Sequence, residues 1–319
     1  MRSKLSIVVP VFNEETGIPR VFAELEILTH SLLEKNVTVQ VVFIDNCSTD
    51  ASWKILCSSI DGNNSFEAKA IQHFSNLGMQ ESLITGLRTS DGDAVVVLQS
   101  DLQDPIDLVL SMADEWINGA NYVATRIEGR DDPISIRIGS WFFYRGLSFV
   151  STSPVLMDSS DFYLFSAEIK NQVLQRLEIK PFLRTILSSI TSPDVVLGYR
   201  RNARQEGLSN YNHVGRAAFA GEAYLSNLSA AASKGAVIAT VFALISLISI
   251  ASIIIAYLFN FRSDVSGWAS TTSIIFFLGS INLFLLSIVL ELTARIYKAL
   301  PRTHDSLPVK VYEKKNIQS

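Results

Sequence analysis

The chain has 319 residues, enough for one large domain or two smaller ones with a buried core. Its 27 Lys and Arg against 31 Asp and Glu leave a net charge of −4, with none of the concentrated basic surface that nucleic acid requires. Cys47 and Cys57 are too few for a disulfide framework, no Cys/His cluster has zinc-ligand spacing, and the pair reads as reduced cytosolic thiols.

Met1–Lys4 is basic and Leu5–Phe12 apolar, but Pro10 interrupts the run and Asn13-Glu14-Glu15 follows at once. That is too short for a signal sequence and reads as a buried first strand, Ile7–Val11. Ile18, Phe22, Leu25, Leu28 and Leu32 then recur at helical spacing. The β-branched run Val37–Ile44 predicts a second strand, and Asp50 is placed to cap a helix starting near Ala51. A weaker third strand, Ala70–Phe74, precedes a helix over Met79–Thr89. Ala94–Leu98 is a continuous apolar strand, Asp107–Trp116 a helix after Pro105, and Tyr122–Ala124 a fifth strand. This alternation predicts an α/β fold, a mostly parallel sheet with helices on both faces.

Ile134–Val150 carries Trp141, Phe142, Phe143, Tyr144 and Phe149 among Arg137 and Arg145. It reads equally as an amphipathic helix in a bilayer interface or as a core-facing helix. Val214–Ser233 is a small-residue helix leading toward a membrane. From Gly235 to Leu290 only Arg262 and Asp264 carry charge. Gly235–Phe261 and Trp268–Leu290 are each long enough to cross ~30 Å of hydrocarbon at roughly 1.5 Å per residue, and Arg262–Gly267 joins them as a hairpin. A buried soluble hairpin is the alternative. Lys234 precedes the first span, and Arg295, Lys298 and Arg302 follow the second, which places both termini in the cytoplasm. Asn282 reads either as bonding across helices or as facing its neighbour's backbone, and small residues in the spans permit homo-oligomers without specifying them.

Ligands of an open parallel sheet bind beyond the carboxyl ends of its strands. Polar residues crowd that edge: Asn13-Glu14-Glu15, Asp45-Asn46-Cys47-Ser48-Thr49-Asp50, Ser75-Asn76 and Gln99-Ser100-Asp101-Leu102-Gln103-Asp104. No Gly-rich phosphate loop is present, so a diphosphate would be held by a metal, by arginines or by both. Asp101 and Gln103 offer hard oxygen ligands suited to Mg2+ or Mn2+. The run Arg200-Arg201-Asn202-Ala203-Arg204 supplies guanidinium forks, though a solvated loop would look the same.

Val8-Val9-Pro10-Val11-Phe12-Asn13-Glu14-Glu15, the Asp45–Asp50 segment and Ser100-Asp101-Leu102-Gln103-Asp104-Pro105 together resemble the ordered signatures of family-two glycosyltransferases. The polyprenyl-phosphate sugar transferase branch, which includes dolichol-phosphate mannose synthase and bactoprenol glucosyltransferase, is the most similar. Asp158-Ser159-Ser160-Asp161-Phe162, Phe182-Leu183-Arg184, the Tyr199–Tyr211 segment and Glu291–Tyr297 extend the resemblance over nearly the whole chain. It implies a GT-A fold and inverting transfer of a hexose from a nucleotide-sugar, UDP-linked in preference, to polyprenyl phosphate. Pro10, Val11, Asn13, Glu14 and Asp45 would hold the nucleoside. Asp101 and Gln103 would hold the metal on the diphosphate, and Arg201 and Arg204 would neutralise the leaving nucleotide. Arg126, Arg137 and Arg184 would meet the acceptor phosphate. Asp161 would stand at the reaction centre, with Asp101 and Arg204 as the other catalytic groups.

The implied organisation is a cytoplasmic catalytic domain over 1–212, a linker helix over 213–234, the hairpin over 235–292 and a cytoplasmic tail over 293–319, on the inner membrane. The implied partners are nucleotide-sugar, polyprenyl phosphate and membrane lipid. Four positions depart from the branch. Asn46 replaces a second Asp, Ser75 an Arg, Gln99 the first carboxylate of the metal motif, and Asn210 a Lys. An altered donor or weakened catalysis would follow from losing two negative and two positive groups. Processive polysaccharide synthases, normally with more spans and a Gln-x-x-Arg-Trp motif absent here, are the enzymatic alternative. A non-catalytic nucleotide-sugar-binding protein is the alternative of another class.

Overall fold

The computed structural model describes residues 3–128, 145, 159–177, 182–200, 228–259, 267–299 and 309–314. The Ile134–Val150 segment, apart from Arg145, and residues 214–227 lie outside them. So do Arg137, Arg201, Arg204 and Asn210.

Leu5 to Val9 in β1 (Ser3–Val11) and Val39 to Asp45 in β2 (Val37–Asp45) are buried without a break. Strands of this kind need both sheet faces covered. One face is covered by α1 (Ile18–Glu34), α2 (Ser52–Gly62) and α4 (Leu108–Ile117). On it, Ile18, Val21, Phe22, Leu25, Leu28 and Leu32 form the buried stripe that the helical spacing predicts, and the Phe22 ring stacks on Phe43 at 4.9 Å. The other face is covered by α3 (Met79–Thr89), α5 (Ala167–Gln175) and α6 (Leu183–Ile190). Gly86 lets α3 lie close on β1, since a Cβ there would fall 2.2 Å from a Val8 methyl.

The remaining strands are β3 (Glu67–His73), β4 (Ala94–Val97), β5 (Tyr122–Ile127), β6 (Ser159–Ser166), β7 (Val195–Tyr199) and β8 (Val309–Glu313). They form one eight-stranded sheet in the order β7-β5-β6-β4-β1-β2-β3-β8. Strands β4, β1, β2 and β3 are mutually parallel, β5 and β7 are parallel, and β6 and β8 run antiparallel to their neighbours. The α/β reading therefore holds.

Residues 228–258 form one unbroken helix, α7 (Leu228–Leu258), so the end of the expected linker is continuous with the first span. It lies antiparallel to α8 (Gly267–Ala299): Phe242 stacks on Phe276, Ser249 and Ser273 hydroxyls meet at 2.8 Å, and Gly235 faces Ser287. The apolar windows Ala232–Ile255 and Thr271–Ile296 are each only 11% buried, unlike the helices of a soluble core. The two apolar helices thus suggest membrane association.

The tail is not separate from the domain. Strand β8 pairs with β3 from Lys69↔Glu313 to His73↔Val309, Lys69 is ion-paired with Glu313, and the Tyr312 hydroxyl donates to Asp61 at 2.8 Å. Within the expected tail over 293–319, residues 309–313 complete the sheet and cover what would be the open edge of β3.

Candidate functional site

The carboxyl ends of β1, β2, β3 and β4 share one edge of the sheet, and antiparallel β6 starts at that edge. Among described residues, four that are not glycine have positive φ: Asn13 (54°), Asn36 (61°), Cys47 (63°) and Leu102 (48°). Three of them lie in loops leaving this edge. Each left-handed residue costs about 1–3 kcal/mol, so the strain is concentrated where a ligand would bind.

The loops after β1 and β2 are bonded to each other. Asn13 N donates to Ser48 Oγ at 2.9 Å, and Thr49 N donates to Asn13 Oδ1 at 2.8 Å. Glu14 N donates to Ser52 Oγ at 2.9 Å. Asp50 accepts from Ser52 N and from Glu15 N, but it is not the N-cap expected of it: that position is Ala51, and α2 has no side-chain cap bond. Burial alone would raise the Asp50 carboxyl pKa, but bonds from Ser52 and Glu15 outweigh it and hold it below the usual value. Pro10 is half-buried, and Val11 is buried with its carbonyl accepting from Asn46 N at 2.9 Å.

Asp45, expected on the nucleoside, is fully buried, and both its oxygens are engaged internally, by Ser48 N at 3.0 Å and Gln72 Nε2 at 2.7 Å. In this state it shapes the loop from beneath. Asn46 donates to Asn76 Oδ1 at 2.8 Å and accepts from Leu77 N at 2.9 Å. The neutral Asn46 and Ser75 thus fall on neighbouring strand ends that a bridge between amide side chains joins.

Beneath Asn46, buried His73 contacts Asn46 Oδ1 through Nδ1 and Thr85 Oγ1 through Nε2. Burial lowers its pKa, against the opposing pull of Glu81 and Asp45. The folded state therefore favours neutral imidazole, whereas the unfolded chain takes up a proton near 6.5. Stability is expected to fall as pH drops below that value. Denaturant melts of His73→Gln and wild type between pH 7 and about 5 check this, and the variant should show the shallower loss.

The loop after β4 turns at left-handed Leu102. Asp101 Oδ1 accepts from Gln103 N at 3.1 Å, and both side chains are half-buried. Asp104 is fully buried and accepts from the Tyr199 hydroxyl, which fastens the loop to β7. Asp101 and Gln103, on either side of buried Leu102, are the partly exposed polar side chains of this turn.

β4 and β6 pair as far as Val97↔Tyr163, so Asp161 lies two residues before the last paired residue of β6 and Asp101 four residues after the last of β4, at the same end of the two strands. Asp161 is only 6% exposed and pairs with Arg184 of α6, whose Nη2 lies 2.9 Å from Oδ1. Arg184 also lies 5.9 Å from the Phe182 ring centroid. The structure thus places Arg184, expected on the acceptor phosphate, on Asp161. Burial raises the Tyr122 hydroxyl pKa to about 12, with Arg184 lowering it and Asp161 raising it. Burial pushes Tyr163 up as well, with Asp161 adding to it. Arg126, at the exposed carboxyl end of β5, shares the sheet face of Tyr122 and Ala124, where Asp161 and Tyr163 also project.

Sequence reasoning missed Gln72, His73, Gln80 and Tyr163 as members of this region. The position of Gln80 in the first turn of a helix that leaves the ligand edge was the available signal.

Comparison with known proteins bears on this arrangement. The family model Glycosyl transferase family 2 matches residues 6–173. An uncharacterized glycosyltransferase of Synechocystis sp. is 26% identical over 300 residues, 93% of this chain and 92% of that protein. The bactoprenol glucosyl transferase of Shigella phage SfX is 30% identical over 310 residues, 94% of this chain and 97% of that protein. Among solved structures, glucosyl-3-phosphoglycerate synthase from Mycobacterium tuberculosis in complex with uridine diphosphate aligns with a TM-score of 0.48 at 20% identity, over 72% of this chain and 80% of that one.

Proposed function

The chain belongs to glycosyl transferase family 2, and from that membership we propose that it transfers glucose from a nucleotide-sugar, UDP-linked in preference, to a polyprenyl phosphate. The acceptor class and the sugar follow the bactoprenol glucosyl transferase that matches 94% of the chain at 30% identity. The observation supporting the chemistry is that the Asp101–Gln103 loop and the Asp161–Arg184 pair belong to the same ends of two neighbouring strands, β4 and β6, at the carboxyl edge of the sheet.

One carboxylate and one carboxamide oxygen fit a hard divalent cation, Mg2+ or Mn2+, that shares its shell with phosphate oxygens. Two protein oxygens leave most of the shell of such a cation to water and to the oxygens of the donor's diphosphate. Bound there, the cation supplies neutralisation of the charge that builds on the leaving nucleotide.

Asn13, Glu14 and the Ser48–Asp50 segment form the pre-shaped loop pair that takes the nucleoside, with Asp45 as its internal brace. An acceptor phosphate oxygen attacks the anomeric carbon from the face opposite the departing nucleoside diphosphate, and the configuration inverts. With its second pKa near ~6, the acceptor is already anionic and needs no general base. We therefore assign Asp161 to the sugar, orienting it and stabilising positive charge at the anomeric carbon. Arg126 is assigned to the acceptor phosphate, together with Arg137. Arg201 and Arg204 are assigned to the leaving diphosphate.

The cytoplasmic side is supported by Lys234 before the first span, by Arg295, Lys298 and Arg302 after the second, and by β8. A tail that rejoins the catalytic sheet after two spans has to return to the side it left.

A donor panel tests the proposal: radiolabelled UDP- and GDP-sugars, undecaprenyl phosphate, detergent-solubilised protein and Mg2+ or Mn2+. Organic-extractable label from UDP-glucose, abolished by a chelator, is expected. Label from GDP-mannose alone would overturn the donor assignment.

A further inference from the structure

Helix α6 begins without a capping side chain of its own: its N-cap is Phe182, and the first orphan N–H, that of Leu183, needs a partner from elsewhere. That partner is Gln80 in the first turn of α3, whose Oε1 accepts from Leu183 N at 2.9 Å inside the protein. Arg184 follows Leu183 at once, so the Gln80 side chain anchors the residue immediately before the one that pairs with Asp161. Phe182, 1% exposed, sets its ring 5.9 Å from the guanidinium. Gln80 is 6% exposed, and its Nε2 is buried with no hydrogen bond among the described residues, as are Tyr163 Oη and Thr185 Oγ1. Tyr163 lies two residues from Asp161 on the same sheet face, and Thr185 adjoins Arg184. Unsatisfied buried groups each cost about 1–3 kcal/mol, and a region kept for stability alone would have fewer of them.

Resting on the assignment of Asp161 to the reacting sugar, we propose that Gln80 is a positioning residue: by holding the first turn of α6 it fixes Arg184, and through Arg184 the Asp161 carboxylate. Nothing here requires Gln80 to touch donor or acceptor. Its loss misplaces a group in the transition state and leaves ground-state binding of the nucleotide intact.

The test is a double-mutant cycle on the full-length protein with Gln80→Met, Arg184→Met and the double variant, read as kcat and donor KM, with nucleotide affinity as the control for folding. Gln80→Met is expected to lower kcat by roughly 10- to 100-fold, the scale of a misplacement near 1 Å, and to change donor KM by less than about threefold. In the Arg184→Met background it should cost nothing further, because neighbours in one network do not add. Gln80→Glu keeps an acceptor for Leu183 N at a helix start that favours negative charge, and should stay within about fivefold of wild-type kcat. Equal losses in both backgrounds, or a loss confined to donor KM, would overturn the positioning role. Wild-type kcat in Arg184→Met would remove the importance of the pair itself, and this role with it. Should Gln80→Met not fold, Gln80→Glu decides: a folded Glu variant as slow as Arg184→Met contradicts the proposal.

Discussion

Asp101→Asn is expected to reduce transfer by at least about 10³-fold while leaving expression, membrane insertion and thermal stability near wild type. The substitution is nearly isosteric, and its amide oxygen still accepts from Gln103 N, so the left-handed turn at Leu102 has no reason to change. Asp104, fully buried and bonded to Tyr199, continues to anchor the loop. What is lost is the one formal negative charge of the Asp101–Gln103 pair, to which the proposal assigns the cation. With Gln99 in place of the other carboxylate of this motif, little remains to oppose the charge of a divalent cation. Initial rates of lipid-linked label, measured beside melting curves, check this. Wild-type-like turnover would show that Asp101 is not a ligand on the reaction path.

Removing the hairpin is expected to have the second largest effect, through access rather than chemistry. A polyprenyl acceptor keeps its chain in the bilayer and presents only its phosphate at the surface. A domain tethered by two spans meets that phosphate at high effective concentration, and untethering it should cost about 10²–10⁴ in transfer to long polyprenyl phosphate in vesicles. The position of β8 decides how the variant must be made. Deleting Gly235–Ser319 also strips β8 from β3 and exposes the β3 edge, along with the Lys69–Glu313 and Tyr312–Asp61 contacts. The informative protein instead replaces residues 228–299 by a flexible linker and keeps residues 309–314. It should bind nucleotide-sugar as wild type does and transfer poorly. Full transfer on vesicles would show the hairpin to be dispensable.

Much of the catalytic domain was legible because its strands and helices carry clean periodicities. Helix α3 runs from Met79 to Thr89 as predicted, and α1 buries the predicted stripe. The elements that escaped have weaker local signals. Residues 159–166 are a strand because β4 and β5 flank them, and both pairings are set by distant segments. Val309–Glu313 is a five-residue strand that follows the two apolar helices, and nothing local says that it returns to β3. The same division holds at the site. Asp101, Gln103 and Asp161 were nameable from motif resemblance. The Arg184–Asp161 pair, the Asn46–Asn76 bridge and the Gln80–Leu183 bond each join residues 23 or more positions apart, and only the folded sheet brings them together. Asn46 read alone was a lost charge; beside Asn76 it is half of a neutral link between two loops.

The most direct measurement is mass spectrometry of the lipid recovered after purified protein is incubated with UDP-glucose, Mg2+ or Mn2+ and undecaprenyl phosphate. The account predicts a polyprenyl phosphate heavier by one hexose residue, formed by wild type and not by Asp101→Asn. Unchanged lipid, from a protein that still binds UDP-glucose, would contradict it and leave a nucleotide-sugar-binding membrane protein in its place.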